Sequence, residues 1–363
     1  MAVYKEEKTN TWRVIYRYTD WQGNRKKSTK RGFSTKKEAE EWLRKFLTSQ
    51  QAAFNMNFED FLELYYKDLE PRVRENTMRT KRYIMDLKVL PFFAKKNISE
   101  ITPADIRKWQ NELITKGYSE TYLRTINNQL TAFFNYAVRY YDLKSNPCTK
   151  AGSIGKNKSD EMKFWTKEEF AKFADAIMDK QKSYVAFMVL FWTGMRLGEM
   201  LALIASDVDF NNKTIAVSKS YQRLSGRDVI TPPKTPKGNR VITVPDFLLT
   251  DIKCYMDSIY CLEDTDRLFP VTKYFMEHEM QRGIKKSGVK RIRIHDLRHS
   301  HCALLFEMGI APLEVAERLG HERVETTLNV YAHIYPNKQK KLSDKLEQIY
   351  KEGYKWKTDG VTK

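Results

Sequence analysis

The sequence predicts a multidomain, mainly α chain with small β contributions: a small ββ(β)α module at the N-terminus, a four-helix domain, and a larger α+β domain. Three observations predict it. Apolar residues recur at helical spacing over most of the chain, while alternating β-branched and aromatic runs are short and few. The 363 residues suit two or three domains rather than one. A polar stretch, residues 148–162, separates two strongly patterned regions and reads as a linker.

In residues 1–54, Trp12 to Tyr18 alternates as a strand does. Asp20 to Asn24 reads as a turn, and Arg25 to Arg31 as a basic second strand. Ser34 and Thr35 cap a helix, with Glu38 spaced for a capping box and Ala39, Trp42, Leu43 and Phe46 as its apolar stripe. The segment carries 13 Lys and Arg against 6 Asp and Glu. Arg25, Lys26 and Lys27 make its sheet face a candidate nucleic-acid surface; the bland alternative is a solvated charged face.

Residues 55–147 read as helical throughout. Phe58, Phe61, Leu62, Tyr65 and Leu69 form one stripe, ended near Pro71; Thr77 to Leu90 forms a second, ended by Pro91. Thr102-Pro103-Ala104-Asp105 starts a third, stopped by Gly117. Ser119 caps a fourth, with Leu123, Ile126, Leu130, Phe133 and Ala137 on one face and Asn146-Pro147 ending it. Arg79, Lys81, Arg82 and Arg124 are candidates for a DNA backbone, with a solvated face as the equal alternative. Residues 163–335 open with helices over Thr166 to Met178, Ser183 to Thr193 and Arg196 to Ile204. Strand signals follow at Thr214 to Ser218, Val229 to Thr231 and Arg240 to Val244, and the remainder is mostly helical. In residues 336–363, Leu342, Leu346, Ile349 and Tyr350 have helical spacing.

The charge narrows the partners. With 64 Lys and Arg against 46 Asp and Glu, the net charge is +18, which suits a polyanion. An aromatic content of 13% excludes global disorder. The longest apolar run, Tyr184 to Trp192, is half a membrane span, and the first residues lack a signal-peptide core, so a cytoplasmic protein is expected. Cys148, Cys254, Cys261 and Cys302 form no CxxC pair, which fits a reducing compartment and argues against zinc.

Five of the six histidines (His295, His299, His301, His321, His333) cluster near the C-terminus. No HExxH occurs and no acidic residue stands at ligand spacing, so phosphate chemistry is favoured over metal. His295 and Arg298 are three apart in HDLRHS, and Arg196 follows a glycine break in TGMRLGE. Leu319-Gly320-His321 reads as a tight turn, and Tyr331 stands ten residues after His321 in TTLNVYAH.

That series, TGMRLGE, KT, HDLRH, LGH and TTLNVYAH in this order, closely resembles the tyrosine recombinase (phage integrase) family over about residues 163–335. Residues 55–145 resemble the family's SAM-like core-binding domain. Residues 1–54 resemble the arm-type DNA-binding module of integrases from phages and conjugative transposons. Gly198 stands where serine is frequent in the family, a departure without chemical consequence.

The chemistry of such a reaction explains the residue types. A hydroxyl attacks a phosphodiester, charge develops on the non-bridging oxygens, and paired guanidiniums fit those oxygens. The resemblance implies Arg196 and Arg298 as that clamp and Tyr331 as the nucleophile, forming a 3′-phosphotyrosyl intermediate that needs no ATP to reseal. Tyr335, four residues on, is the rival nucleophile. It implies His295 as base or phosphate ligand and His321 as a phosphate hydrogen bonder. The family's general acid is a lysine on a β-hairpin. Here the segment Pro233 to Arg240 is expected to be that hairpin, with Lys234 preferred and Lys237 the alternative. Glu199 and Asp296 are expected to orient neighbours, and His333 to position the nucleophile's helix. Lys237 and Arg293 remain candidates for DNA backbone contact, and His299 for helix packing.

The resemblance implies a site-specific DNA recombinase of a mobile element, bound to double-stranded DNA at core and arm sites. It further implies a homo-tetramer acting through a Holliday junction, its tail helix packing on a neighbouring protomer, with DNA-bending and excisionase proteins as accessories. No metal or nucleotide cofactor and no membrane are implied, and the location expected is the bacterial nucleoid. The competing readings are an Xer-type chromosome resolution recombinase, against which the basic N-terminal module argues, a type IB topoisomerase, and a non-catalytic DNA-binding protein.

Overall fold

Three antiparallel strands begin the chain: β1 (Ala2–Glu6), β2 (Thr11–Thr19) and β3 (Arg25–Phe33), in that order in the sheet. The computed structural model describes residues 2–6, 11–19, 25–48, 56–156, 163–233, 235–334, 343–344 and 346–350. It divides into two compact units, Met1–Ser159 and Asp160–Lys363. Helix α1 (Lys36–Thr48) follows the sheet. The Thr35 hydroxyl accepts from the Glu38 amide at 3.1 Å, and the Glu38 carboxylate accepts from the Ser34 amide at 3.0 Å. Val14, Phe33 and Ala39 are buried between sheet and helix, and Trp42 packs 5.3 Å from Tyr16. Lys27 is exposed; the side chains of Arg25 and Lys26 lie outside the described residues.

Next come α2 (Phe58–Leu69), α3 (Glu75–Ile84), a π-helical segment (Met85–Val89) and α4 (Leu90–Phe93). Pro91 therefore does not end the second helix, as its sequence suggested. The π-helical register lets the Leu90 amide reach the Met85 carbonyl, and Pro91 falls in the first turn of α4, where its missing N–H costs nothing. In α5 (Pro103–Thr115), Thr102 and Asp105 form a complete capping box, worth about 1 kcal/mol. α6 (Glu120–Tyr140) carries Phe133 and Phe134 into a core with Phe58, Phe61, Phe93 and Trp109. The helix stops at Tyr140, so Asn146-Pro147 begins α7 (Pro147–Ala151) instead of ending α6. The polar stretch read as a linker thus starts too early: Cys148 and Ala151 are buried in this core, and a Cβ on Gly155 would meet the Glu120 carbonyl. The polar groups of this stretch are used by the domain: the Ser153 hydroxyl accepts from Asn127 and the Gly152 carbonyl from Gln110.

In the second unit, α8 (Lys167–Ile177) starts at a Thr166–Glu169 capping box, and α9 (Gln181–Thr193) is apolar nearly all round because it is buried nearly all round. α10 (Leu197–Met200) is much shorter than the Arg196 to Ile204 helix expected. Its last turn tightens to three-residue hydrogen bonds, and the Leu203 carbonyl is taken by the Leu268 amide, which pulls the chain away from helix. β4 (Val208–Asp209), β5 (Thr214–Val217) and β8 (Arg240–Thr243) form one antiparallel sheet; β6 (Ser220–Leu224) and β7 (Arg227–Thr231) form a separate hairpin turning at Ser225-Gly226. The segment Pro233 to Arg240 is therefore not a hairpin of its own. It is the connection from β7 to β8, with a 3₁₀ turn at Pro236–Gly238. Two prolines and a glycine in eight residues leave too few amides for a ladder.

Helices α11 (Asp246–Asp257), α12 (Lys273–Ser287), α13 (Asp296–Glu307), α14 (Pro312–Leu319) and α15 (Val324–Ile334) complete the unit. Phe170, Phe173, Phe187, Phe191 and Phe269 anchor its main core, and a smaller cluster of Cys302, Phe306, Val315, Leu319 and Val330 joins α13, α14 and α15. Residues 346–350 are helical, with Leu346, Ile349 and Tyr350 exposed; Leu342 lies outside the described residues.

Candidate active site

α9 ends at Gly194, whose left-handed backbone (φ 65°) turns the chain so that Arg196 becomes the N-cap of α10. The Glu199 carboxylate, 3% exposed, accepts from the Arg196 amide at 2.9 Å and from the Arg196 guanidinium at 2.7 Å. It also accepts from Arg240 Nη2 at 2.9 Å. Burial pushes the Glu199 carboxyl up, but Arg240 and Arg196 outweigh it, so the group stays ionised below the usual range. Arg196 keeps 41% of its side chain exposed, so its guanidinium is held on one edge and open elsewhere.

Arg298, on the first turn of α13, is almost fully buried. Its fork donates from Nη1 to the Gly194 carbonyl at 2.8 Å and from Nη2 to the Leu319 carbonyl at 2.6 Å. Two backbone dipoles thus hold a full charge, and no carboxylate pairs with Arg298 among the described residues. Burial, and then the charge of Arg196, push its pKa down to about 9, which leaves it charged at neutral pH.

The histidines answer to the same field. His295 caps α13, and its ring stands edge-on to His299 at 5.3 Å between centroids. His295 keeps part of its surface exposed; partial desolvation of the ring and then the Arg298 charge lower its pKa. His321 follows Gly320, the left-handed end of α14, and its Nδ1 lies 2.7 Å from the Thr327 hydroxyl. Burial pushes the His321 pKa down to about 3, aided by Arg298, Arg196, His299 and Arg240. His299 is pushed down to about 4 by burial and then by His295. All three imidazoles are therefore neutral at pH 7, beside two guanidiniums. Such a site can take an anion and, at His295, a proton.

Asp296 is buried and accepts from the Arg293 amide at 2.8 Å and from the Arg293 guanidinium at 2.8 Å. It fixes the entry to α13, and Arg293 remains mostly exposed. Lys237 is exposed on the 3₁₀ turn, and its backbone carbonyl would lie 2.6 Å from a Cβ on Gly320, so this loop touches the turn before His321. Lys234 and Tyr335 lie outside the described residues. Tyr331 and His333 lie on α15, and their side chains are outside the described set.

In the first unit, the Lys81 ammonium donates to Tyr65 Oη at 3.0 Å and to Gln129 at 2.8 Å, and Arg82 lies 4.3 Å over the Tyr66 ring. Arg79 is exposed and Arg124 half-buried. Lys81 is therefore a core-tethered cation rather than a freely solvated one.

Three residues of the site carried no role in the sequence reading. Arg240 joins Glu199, the Gly238 carbonyl and the Arg318 carbonyl. Arg318 donates to His301 Nε2, the Thr243 carbonyl and the Trp192 carbonyl. Thr327 holds His321. Only Arg240 had a local signal, a basic residue opening an otherwise apolar strand.

Comparison with known proteins gives three matches along the chain: the phage integrase family over residues 163–338, the phage integrase N-terminal SAM-like domain over 57–114, and the arm DNA-binding domain over 2–50. The ICEBs1 integrase of Bacillus subtilis (strain 168) is 33% identical over 339 residues, which span 87% of this chain and 91% of that one. The transposase from transposon Tn916 of Enterococcus faecalis is 26% identical over 298 residues, 75% of this chain and 73% of that one. Among solved structures, the Tn1549 transposon integrase in complex with a circular intermediate DNA shares the fold with a TM-score of 0.66 at 22% identity, covering 78% of this chain and 99% of that one. Taken with the arginines, histidines and Tyr331-bearing helix described above, a relative one-third identical over nine-tenths of its length means that the chain belongs to the phage integrase family of tyrosine recombinases.

Proposed function

We propose that this protein is the integrase of a mobile element, a site-specific recombinase that cuts and rejoins DNA through Tyr331. The observation that carries this reading is Arg298: a buried guanidinium held by two carbonyls, with Arg196 close enough to depress its pKa. An uncompensated buried charge costs several kcal/mol, and an anionic phosphodiester seated between the two arginines offsets that cost. In the proposed step, Tyr331 Oη attacks phosphorus and the bond from phosphorus to the 5′-oxygen breaks. The tyrosine proton passes to His295, and a lysine of the β7–β8 connection, Lys234 or Lys237, protonates the leaving oxygen. His321 and the arginines bind the non-bridging oxygens. Attack by another strand's 5′-hydroxyl reverses the step. The basic strand β3 and the α2–α6 domain are proposed to hold arm and core DNA, and four protomers to complete the exchange. The likeness to a lambda integrase tetramer bound to a Holliday junction, with a TM-score of 0.57, supports a common fold.

Covalent trapping tests the reading. The full chain is incubated with a duplex from the ends of its own element, nicked just beyond the scissile phosphate, and run on a denaturing gel. A shifted band lost in Tyr331→Phe and kept in Tyr335→Phe is expected. Tight binding with no shifted band would point to a non-catalytic DNA-binding protein.

A further inference from the structure

His321 is neutral and has two tautomers, of which only one presents Nε2–H as a donor. Its Nδ1 lies 2.7 Å from the hydroxyl of Thr327, a side chain with no exposed surface. Thr327 sits on α15, four residues before Tyr331 and so on the same side of that helix. The contact crosses from the turn after α14 to the helix that bears the nucleophile.

We propose that Thr327 is a positioning residue: its hydroxyl donates to His321 Nδ1, which fixes Nε2–H toward the bound phosphate and seats the Tyr331 helix in the same act. This rests on His321 being a phosphate ligand, as proposed above. A helical threonine ordinarily turns its hydroxyl back to the carbonyl one turn earlier. Here it reaches another element, and solvent is excluded from the contact. His321 has no second described side-chain partner at Nδ1, so its tautomer depends on this hydroxyl. Docking of α15 and readiness of the phosphate ligand then share one hydrogen bond, and neither is complete without the other.

The test uses the full-length chain as wild type, Thr327→Val and Thr327→Ser. Cleavage of the nicked junction duplex is timed, DNA affinity is measured on the same duplex, and the imidazole nitrogens are observed by ¹⁵N NMR with His321→Asn as the assignment control. Thr327→Val is expected to slow covalent-complex formation at least about tenfold, with DNA affinity within about twofold, and to give a tautomer mixture at His321. Thr327→Ser is expected to restore cleavage to within about threefold and the single Nε2–H tautomer. Wild-type cleavage in Thr327→Val overturns the proposal, as does an Nδ1–H tautomer in the wild-type spectrum. The second readout stands even if Thr327→Val does not fold. If the wild type binds but never cleaves, the recombinase reading fails, and the tautomer alone then decides whether Thr327 sets His321.

Discussion

Glu199 and Arg240 form an ion pair of 2.9 Å with both side chains almost wholly enclosed, at 3% and 7% exposed. It joins the first arginine motif to the strand that ends the lysine-bearing connection. Glu199 also holds Arg196, and Arg240 also holds the Gly238 and Arg318 carbonyls. One carboxylate thus ties Arg196 to the strand that ends the Lys237-bearing connection.

Removing that charge leaves Arg240 buried without compensation. Glu199→Gln keeps the volume, so packing is preserved and the electrostatic loss is isolated. Urea unfolding is expected to show the second unit destabilised by about 3 kcal/mol. Cleavage is expected to fall as well, because Arg196 loses its tether. A variant as stable as wild type would mean that the pair is balanced by solvent and holds nothing.

Arg298 makes a second case. Two of its nitrogens reach two carbonyls on different elements, Gly194 and Leu319, and the proposed phosphate contact would use the rest of the fork. A lysine ammonium keeps the charge and cannot span both carbonyls. Arg298→Lys is therefore expected to lower the cleavage rate at least about a hundredfold. DNA binding, spread over many other cations, should stay within about threefold. Equal losses in both would assign Arg298 to general DNA affinity.

The parts of this architecture legible in sequence are those whose chemistry is local. The Thr102–Asp105 and Thr166–Glu169 capping boxes sit three residues apart, so their helix starts are written in the sequence. The same holds for Gly117 and Gly320, which must supply a left-handed backbone. Arg196, His295, Arg298 and His321 stood out in the sequence as motif residues in a fixed order, and the structure shows the packing around them: Arg298 reaches the carbonyls of Gly194 and Leu319, and Arg196 is held by Glu199. Pro91 misled because a π-helical register, invisible in a hydrophobic pattern, absorbs its missing amide. β6 was missed because its residues, SYQRL, lack the apolar alternation of a half-buried strand. The support network of Arg240, Arg318 and Thr327 depends on contacts made only after folding, 41 residues apart in the case of Glu199 and Arg240.

The depressed imidazoles predict acid sensitivity. His299, His301 and His321 are held at about 4, 3 and 3, His301 chiefly by burial and then by Arg318. The unfolded chain takes up protons near pH 6.5 that the fold refuses, so their contribution is full above that value and is lost as pH falls toward the folded values. Glu279 and Asp179 act in the same direction but at lower pH. Burial raises Glu279, but Lys180 and Arg282 overcome it; Arg282 and Lys286 lower Asp179. Both are held at about 2, so their stabilisation survives until pH drops through the ordinary carboxylate range. The interval from pH 6.5 to 5 therefore belongs to the histidines. His301 alone, 2% exposed, should cost about 1–2 kcal/mol across it, read as a lower urea midpoint at pH 5. A flat midpoint over that interval would mean the imidazoles are not shielded as described.

Gly320 offers the cleanest separation of strain from function. Its φ of 67° disfavours any side chain, and a Cβ there would stand 2.6 Å from the Lys237 carbonyl and 3.0 Å from Arg240 Cδ. Gly309 has a φ of 84° and nothing within 4 Å of the same added atom. Alanine at either site pays a left-handed backbone cost of about 1–2 kcal/mol. Only Gly320→Ala must also push back the backbone of the lysine-bearing connection, which cannot rotate away as a side chain can. Gly320→Ala should therefore lose more stability in urea than Gly309→Ala, and under conditions where both are folded covalent trapping falls at least about tenfold in Gly320→Ala and is unchanged in Gly309→Ala. If the two variants trap DNA equally well, the approach of this connection to the His321 turn has no part in placing the lysine proposed as general acid.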